Sequence, residues 1–268
     1  MKVRFYKYHG AGNDFIMVDD RKDAFSMNEA EIALFCHRRF GVGADGLILL
    51  QTSGKADFRM KYYNSDGREG SMCGNGGRCS VAFAAALGLG RDVFRFEASD
   101  GLHEASVSSF DGQNAEVVLR MADVARIDAK HGGYFLDTGS PHHVEFVEDC
   151  SVVDVVKRGR EIRYSAAYKP GGVNVNFVQP TDQGLFVRTY ERGVEDETLA
   201  CGTGATAVAL VWALLNPEIH SAAVNSRGGQ LKVSFERSGE GFAGIWLEGP
   251  AVRVFEGEYE TNAQNQTA

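Results

Sequence analysis

A short step, Cys-Gly-x-Gly, occurs twice in this chain, and each time it opens a run of small apolar residues. The first copy is Cys73-Gly74-Asn75-Gly76, running on to Leu87; the second is Cys201-Gly202-Thr203-Gly204, running on to Leu215. The cysteines lie 128 positions apart in a chain of 268 residues. The same offset pairs Phe58 with Phe186, Tyr62 with Tyr190 and Glu69 with Glu197. Upstream, Phe15–Asp20 matches Val144–Asp149 at an offset of 129. Several matches at one offset predict two related halves.

The intervening pattern supports that division. Strands are expected over Val3–Tyr8, Phe15–Val18, Leu47–Leu50, Phe58–Tyr63, Val93–Ala98, Leu102–Ser108 and Ala115–Met121. Asn28, with Glu31 three residues on, predicts a capped helix reaching Phe40. The second half repeats the plan with strands over Gly133–Thr138, His143–Val147, Val173–Pro180 and Gly184–Tyr190 and a helix from Ser151 to about Gly159. Hairpins follow over Gln230–Phe235 and Gly241–Glu248, then a last strand over Val252–Phe255. Thr261–Ala268 is polar and is expected to fray. The fold class expected is α+β: two pseudo-symmetric domains, residues 1–121 and 122–268, each a curled, mostly antiparallel sheet around a central helix. The last strand is free to pack back on the first half, and ligand is expected in the cleft between the two.

Composition excludes several function classes. Net charge is −8 with no run of Lys or Arg, which argues against a nucleic-acid or membrane-surface partner. No stretch of about twenty apolar residues occurs. The first twenty residues carry scattered charges rather than an apolar leader, so a reducing cytoplasm is the expected compartment. The cysteines at 36, 73, 79, 150 and 201 include no Cys-x-x-Cys pair, and no metal site is expected. Gly41–Gly46 fits Gly-x-Gly-x-x-Gly, but it follows a helix and precedes a strand, the reverse of a dinucleotide site. It reads as a turn.

The two cysteines carry the chemistry. A thiol at a helix N-terminus meets first-turn N–H groups and the positive end of the macrodipole, which lowers its pKa. A cysteine of ordinary pKa is about 3% thiolate at pH 7, and a shift of ~1.5 units raises that to about half. The following glycines let backbone close on a ligand, and their N–H groups suit a carboxylate. If the halves face each other, one thiolate removes a proton beside that carboxylate and the opposite thiol delivers one to the other face. Such inversion requires no cofactor, and it sets the sulfurs roughly 7 Å apart. That separation is too far for a disulfide, whose S–S distance is about 2.05 Å, so oxidation would require the empty site to close further. Cys36 and Cys79 read as core, and Cys150 receives no role.

Six segments together resemble the diaminopimelate epimerase family: residues 9–15, 64–67, 73–79, 139–142, 173–177 and 191–204. The resemblance covers about residues 1–256 and implies interconversion of LL- and meso-2,6-diaminopimelate without pyridoxal phosphate, on the way to lysine and peptidoglycan. It implies that Cys73 and Cys201 are the acid/base pair, with His142 and Glu191 tuning the thiols. Gly74, Asn75, Gly202 and Thr203 would hold the reacting carboxylate by backbone amides. Asn13, Asn64, Asn174, Glu191 and Arg192 would bind the rest of the substrate, Arg192 gripping the distal carboxylate. A homodimer is also implied. Two departures stand out: Ser140 where the family motif has Asn, and Gly46 where some members carry Gln.

Two other readings compete. One is a racemase of another amino acid, histidine or proline, on the same scaffold. The other is a binding protein whose thiols form a redox switch, without turnover. His9, His143 and the acidic run Glu195–Glu197 read as structural or solvated, the run as a cap on the second helix.

Overall fold

The computed structural model describes residues 2–260; the polar tail Thr261–Ala268 lies outside them. Two compact units result: of the described residues, one holds 2–119 together with 250–260, and the other spans Arg120–Gly249.

The first unit contains strands β1 (Lys2–Gly10), β2 (Asn13–Asp19), β3 (Gly46–Gln51), β4 (Phe58–Asn64), β5 (Val93–Ala98), β6 (Gly101–Phe110) and β7 (Asn114–Arg120). They hydrogen-bond in chain order, and the last part of the long C-terminal strand (Gly241–Glu260) lies between β7 and β1, closing an eight-stranded barrel. Helix α1 (Glu29–Cys36) packs Ile32, Phe35 and Cys36 on one sheet face with Ile16, Leu47 and Leu49. Its start is the expected capping box, in which Asn28 accepts from the Glu31 amide and Glu31 accepts from the Asn28 amide. Helix α2 (Gly74–Ala86) is buried throughout from Gly74 to Ala84, packed against β1, β2, β3, β4 and β6. Alanine and glycine dominate its surface because strands surround it on several sides. Phe83 fills the remaining space against Tyr6 and Tyr8.

The second unit contains β8 (Asp128–Lys130), β9 (Gly133–Asp137), β10 (Pro141–Phe146), β11 (Asn174–Thr181), β12 (Gly184–Glu191), β13 (Asp196–Thr198), β14 (Ser221–Ser226), β15 (Gly229–Ser238) and the first part of β16 (Gly241–Glu260). The order is β8-β9-β10-β11-β12-β14-β15-β16, with β13 added on β12. Helix α3 (Val155–Arg163) covers one face, where Gly159 sits so close to β12 that a methyl group there would lie 2.4 Å from Tyr190 Cβ. Helix α4 (Gly202–Leu215) is buried nearly throughout and packs on β9, β10, β11, β12, β14 and β15.

One order of connections serves both units. The pairs β2–β3 and β10–β11 are parallel, with α1 and α3 inserted between their strands. The pairs β3–β4 and β11–β12 are antiparallel. The pairs β4–β5 and β12–β14 are parallel again, and each brackets a Cys-Gly helix. The internal repeat in the sequence is thus a repeat of topology, and the fold is the expected α+β class with a buried helix in each unit.

Some local expectations need correction. The helix expected from Ser151 is two elements: a 3-10 turn at Cys150–Val152 and α3 from Val155. Asp149 caps the first through the Ser151 amide, and Asp154 caps the second through the Lys157 amide. The strand expected from His143 starts at Pro141, which brings His142 into the sheet. Glu195–Glu197 does not cap α4. Glu195 accepts from Arg163, Tyr164 and Tyr190, while Glu197 pairs with Arg188 and Arg227. Burial opposes ionisation of Glu195, but the Gly193 amide and those partners hold its carboxyl down at about 2.

Candidate active site

Cys73 occupies the N-cap position of α2 in extended conformation (φ −115°, ψ 126°), and Cys201 does the same for α4 (φ −128°, ψ 113°). The first helical hydrogen bonds run from Gly77 to Cys73 and from Ala205 to Cys201. The amides of Gly74 and Gly76, and of Gly202, Thr203 and Gly204, therefore lie ahead of the first i to i−4 bond of their helices. Both cysteines are partly exposed and none of the five is in a disulfide, whereas Cys36, Cys79 and Cys150 are buried. Burial pushes the Cys36 and Cys79 thiols up to about 12 and Cys150 to about 11, which suits their reading as inert packing residues.

Around Cys73 the first unit builds a polar ladder. Cys73 Sγ donates to Asn13 Oδ1 at 3.6 Å, and Asn75 Nδ2 donates to the same oxygen at 3.2 Å. Asn13 is held in this orientation because its Nδ2 donates to the carboxylate of Asp45 at 2.7 Å, an atom that can only accept. Asp45 pairs with Arg38, and Arg38 with Asp14, which also pairs with the buried Lys7. On the other side Arg78, fully buried in α2, donates to Asn75 Oδ1 at 2.8 Å. Register explains the convergence. Phe15 pairs with Gly46 and Gly46 with Asn64, so Asn13, Gly46 and Asn64 stand at one end of the sheet. Asn64 itself is exposed, at the turn that leads to Cys73.

Around Cys201 the second unit builds a longer chain. Cys201 Sγ lies 3.4 Å from Thr203 Oγ1, which lies 3.0 Å from His142 Nε2. Asn176 Nδ2 stands 3.1 Å from His142 Nδ1 and also donates to the His143 carbonyl at 2.9 Å. Thr138 Oγ1 donates to the Thr203 carbonyl, tying the first turn of α4 to the end of β9. His142 is fully buried, and burial, assisted by the charge of Arg192, pushes its imidazole down to about 3. Asn174 donates to Ser140 Oγ at 2.9 Å and accepts from the Arg192 amide at 2.8 Å. Glu191 closes β12 and accepts from Thr198 Oγ1 at 2.8 Å; the Arg192 side chain is exposed.

The glycines play a part that spacing alone did not reveal. A Cβ at Gly204 would lie 2.6 Å from Asn176 Oδ1, so this glycine makes room for the amide behind His142. A Cβ at Gly76 would press on Ile48 and Met60 at 3.0 and 3.1 Å. A Cβ at Gly46 would lie 2.5 Å from both the Tyr62 ring and the Tyr63 carbonyl, so Tyr62 covers the place of the side chain missing there. Asp45, Arg38, Arg78 and Asn176 carry the ladders and escaped the sequence reading. Arg78 left the clearest trace, as a lone charge inside an otherwise small and apolar helix.

Topology defines the fold class. The fold is shared with a phenazine biosynthesis protein of the PhzF family from Bacillus anthracis (TM-score 0.78, 15% identity, 97% of this chain and 100% of that one). It is shared also with a hydroxyproline epimerase from Agrobacterium vitis (TM-score 0.70, 16% identity, 99% and 93%). At those identities the likeness is one of fold alone.

Sequence narrows the class to a family. The diaminopimelate epimerase family model matches residues 5–127 and 134–254. The diaminopimelate epimerase of Flavobacterium psychrophilum is 49% identical over 95% of this chain and 99% of its own length. That of Chlorobaculum tepidum is 44% identical over 92% and 98%. This chain belongs to the diaminopimelate epimerase family.

Proposed function

We propose that this protein interconverts LL- and meso-2,6-diaminopimelate by moving a proton at one α carbon, with Cys73 and Cys201 as the acid/base pair. The single observation that carries the reading is a partly exposed thiol at the start of each buried helix, in a chain nearly half identical to a diaminopimelate epimerase. One thiolate takes the α proton and the other thiol protonates the opposite face, so each turnover exchanges their roles. The first-turn amides of α2 and α4, at Gly74, Asn75, Gly202 and Thr203, supply the donors for the α carboxylate, where negative charge builds up as the proton leaves.

Asn13, Asn64, Asn174, Glu191 and Arg192 bind the remainder. The exposed guanidinium of Arg192 suits a bidentate grip on the distal carboxylate, and its backbone is fixed by Asn174. Ser140 accepts from Asn174, which leaves its own proton for an anionic oxygen. His142 and Glu191 adjust the thiols. The reading extends to a cytoplasmic homodimer acting on a small molecule; five cysteine thiols suit a reducing compartment.

The test is turnover. Purified protein given LL-diaminopimelate yields meso product, and Cys73→Ser or Cys201→Ser each lowers kcat by about 10² to 10⁴. Exchange of the α proton of proline or histidine, with none on diaminopimelate, would move the assignment to the racemase reading. Binding without turnover in the parent protein would favour the thiol switch.

A further inference from the structure

A buried hydrogen-bond chain behind Cys201 has a direction, and three contacts determine it. The His143 carbonyl oxygen can only accept, so the atom 2.9 Å from it is the Asn176 amide nitrogen. The same nitrogen therefore faces His142 Nδ1 at 3.1 Å, and that ring atom must be the acceptor. Thr189 Oγ1, donating to Asn176 Oδ1 at 2.9 Å, agrees with this orientation. A neutral imidazole with a bare Nδ1 carries its proton on Nε2. Two groups face that proton, Thr203 Oγ1 at 3.0 Å and the Asn174 amide nitrogen at 3.5 Å; the nitrogen already donates to Ser140 Oγ and the Pro141 carbonyl, so the hydroxyl is the acceptor. Having accepted there, the Thr203 hydroxyl is turned to donate to Cys201 Sγ at 3.4 Å.

We infer that Thr203 acts through its hydroxyl as a positioning residue for Cys201, passing the hydrogen-bond donation of Asn176 and His142 on to the sulfur and so favouring its thiolate. This rests on the reading of Cys201 as an acid/base thiol and assigns a task to a side chain otherwise implicated only by its backbone amide. The chain is one-way because it begins at an amide whose orientation a carbonyl dictates and ends at an atom that gains charge. Gly204 is part of the device, since any side chain there would meet Asn176 Oδ1 at 2.6 Å and displace the amide that sets the tautomer. Burial of Asn176 and His142 strengthens the inner links, because water does not compete for their donors.

Alkylation of the ligand-free protein tests this without requiring turnover. Iodoacetamide labelling at one neutral pH is followed separately at Cys201 and Cys73 by peptide mass spectrometry in the parent, Thr203→Val and Thr203→Ser. Losing one hydrogen bond to a charged sulfur lowers the thiolate fraction about tenfold. The more basic sulfur that remains is the better nucleophile, so the rate at Cys201 falls about threefold to fourfold per tenfold loss of thiolate. The expected result is that fall in Thr203→Val, the parent rate within twofold in Thr203→Ser, and an unchanged rate at Cys73. A parent-like rate at Cys201 in Thr203→Val overturns the inference. So does an equal fall in both variants, which would assign the effect to packing of the methyl group. Should the parent protein lack epimerase activity while Thr203→Val still slows labelling, the functional reading fails and the hydroxyl chain stands.

Discussion

Nδ1 of His142 lies 3.1 Å from the side-chain amide nitrogen of Asn176, a donor, and this contact fixes the proton of the ring on Nε2. Burial pushes the imidazole down to about 3, so it stays neutral throughout the working range. Nitrogen-15 spectra of His142 should show a protonated Nε2 and a bare Nδ1, without titration between pH 5 and 9. A ring that titrates near 6.5 would contradict the account. The same depression has a stability consequence with a definite sign. The unfolded chain binds the proton below about 6.5 and the folded chain only near 3, so stability falls with acid across that window, by at most about 1.4 kcal/mol per pH unit.

Asp14 shows the same linkage from a carboxylate. Burial opposes its charge, but hydrogen bonds and charges from Arg38 and Lys7 bring it down to about 2. Its contribution is complete above the unfolded carboxylate value of about 3.9 and is lost as pH falls toward 2. Asp14→Asn leaves Lys7 buried without its partner carboxylate, at a cost of about 3 kcal/mol. Thermal unfolding at pH 7 should show Tm lowered by several degrees, and the variant should lack this part of the acid dependence.

Gly46 is a packing constraint. A methyl group there meets the Tyr62 ring and the Tyr63 carbonyl at 2.5 Å, and a backbone oxygen cannot move aside cheaply. Gly46→Ala should cost about 1–3 kcal/mol in chemical denaturation, and Gly46→Gln at least as much. An unchanged denaturation midpoint in Gly46→Ala would show that the sheet yields at this point.

Much of the architecture is legible in the residue order. The offset between Cys73 and Cys201 exposed the repeat because a buried helix surrounded by strands must be built of small residues, and both copies keep that composition. The capping box at Asn28 was readable because it is local. What the residue order did not reveal is register and long-range pairing. Asn176 reads as one strand residue among several until β10 and β11 are paired, which brings it beneath His142. Asp45 sits in a glycine turn and becomes a support for Asn13 only across a sequence gap of thirty-two residues. Glu195 and Glu197 looked solvated because the arginines and tyrosines that receive them lie on α3, β12 and a distant turn. The choice of Gly at position 204 depends on a side chain that the sequence places twenty-eight residues away.

The most direct measurement of the central claim, two thiols serving one carbon, is the early-time distribution of deuterium when LL-diaminopimelate is converted in deuterium oxide. With separate acid and base, the meso product carries one deuterium at its inverted carbon, while the recovered LL substrate keeps its hydrogen. Label entering substrate and product equally from the start would mean that one group serves both faces, and the pairing of Cys73 with Cys201 would be wrong.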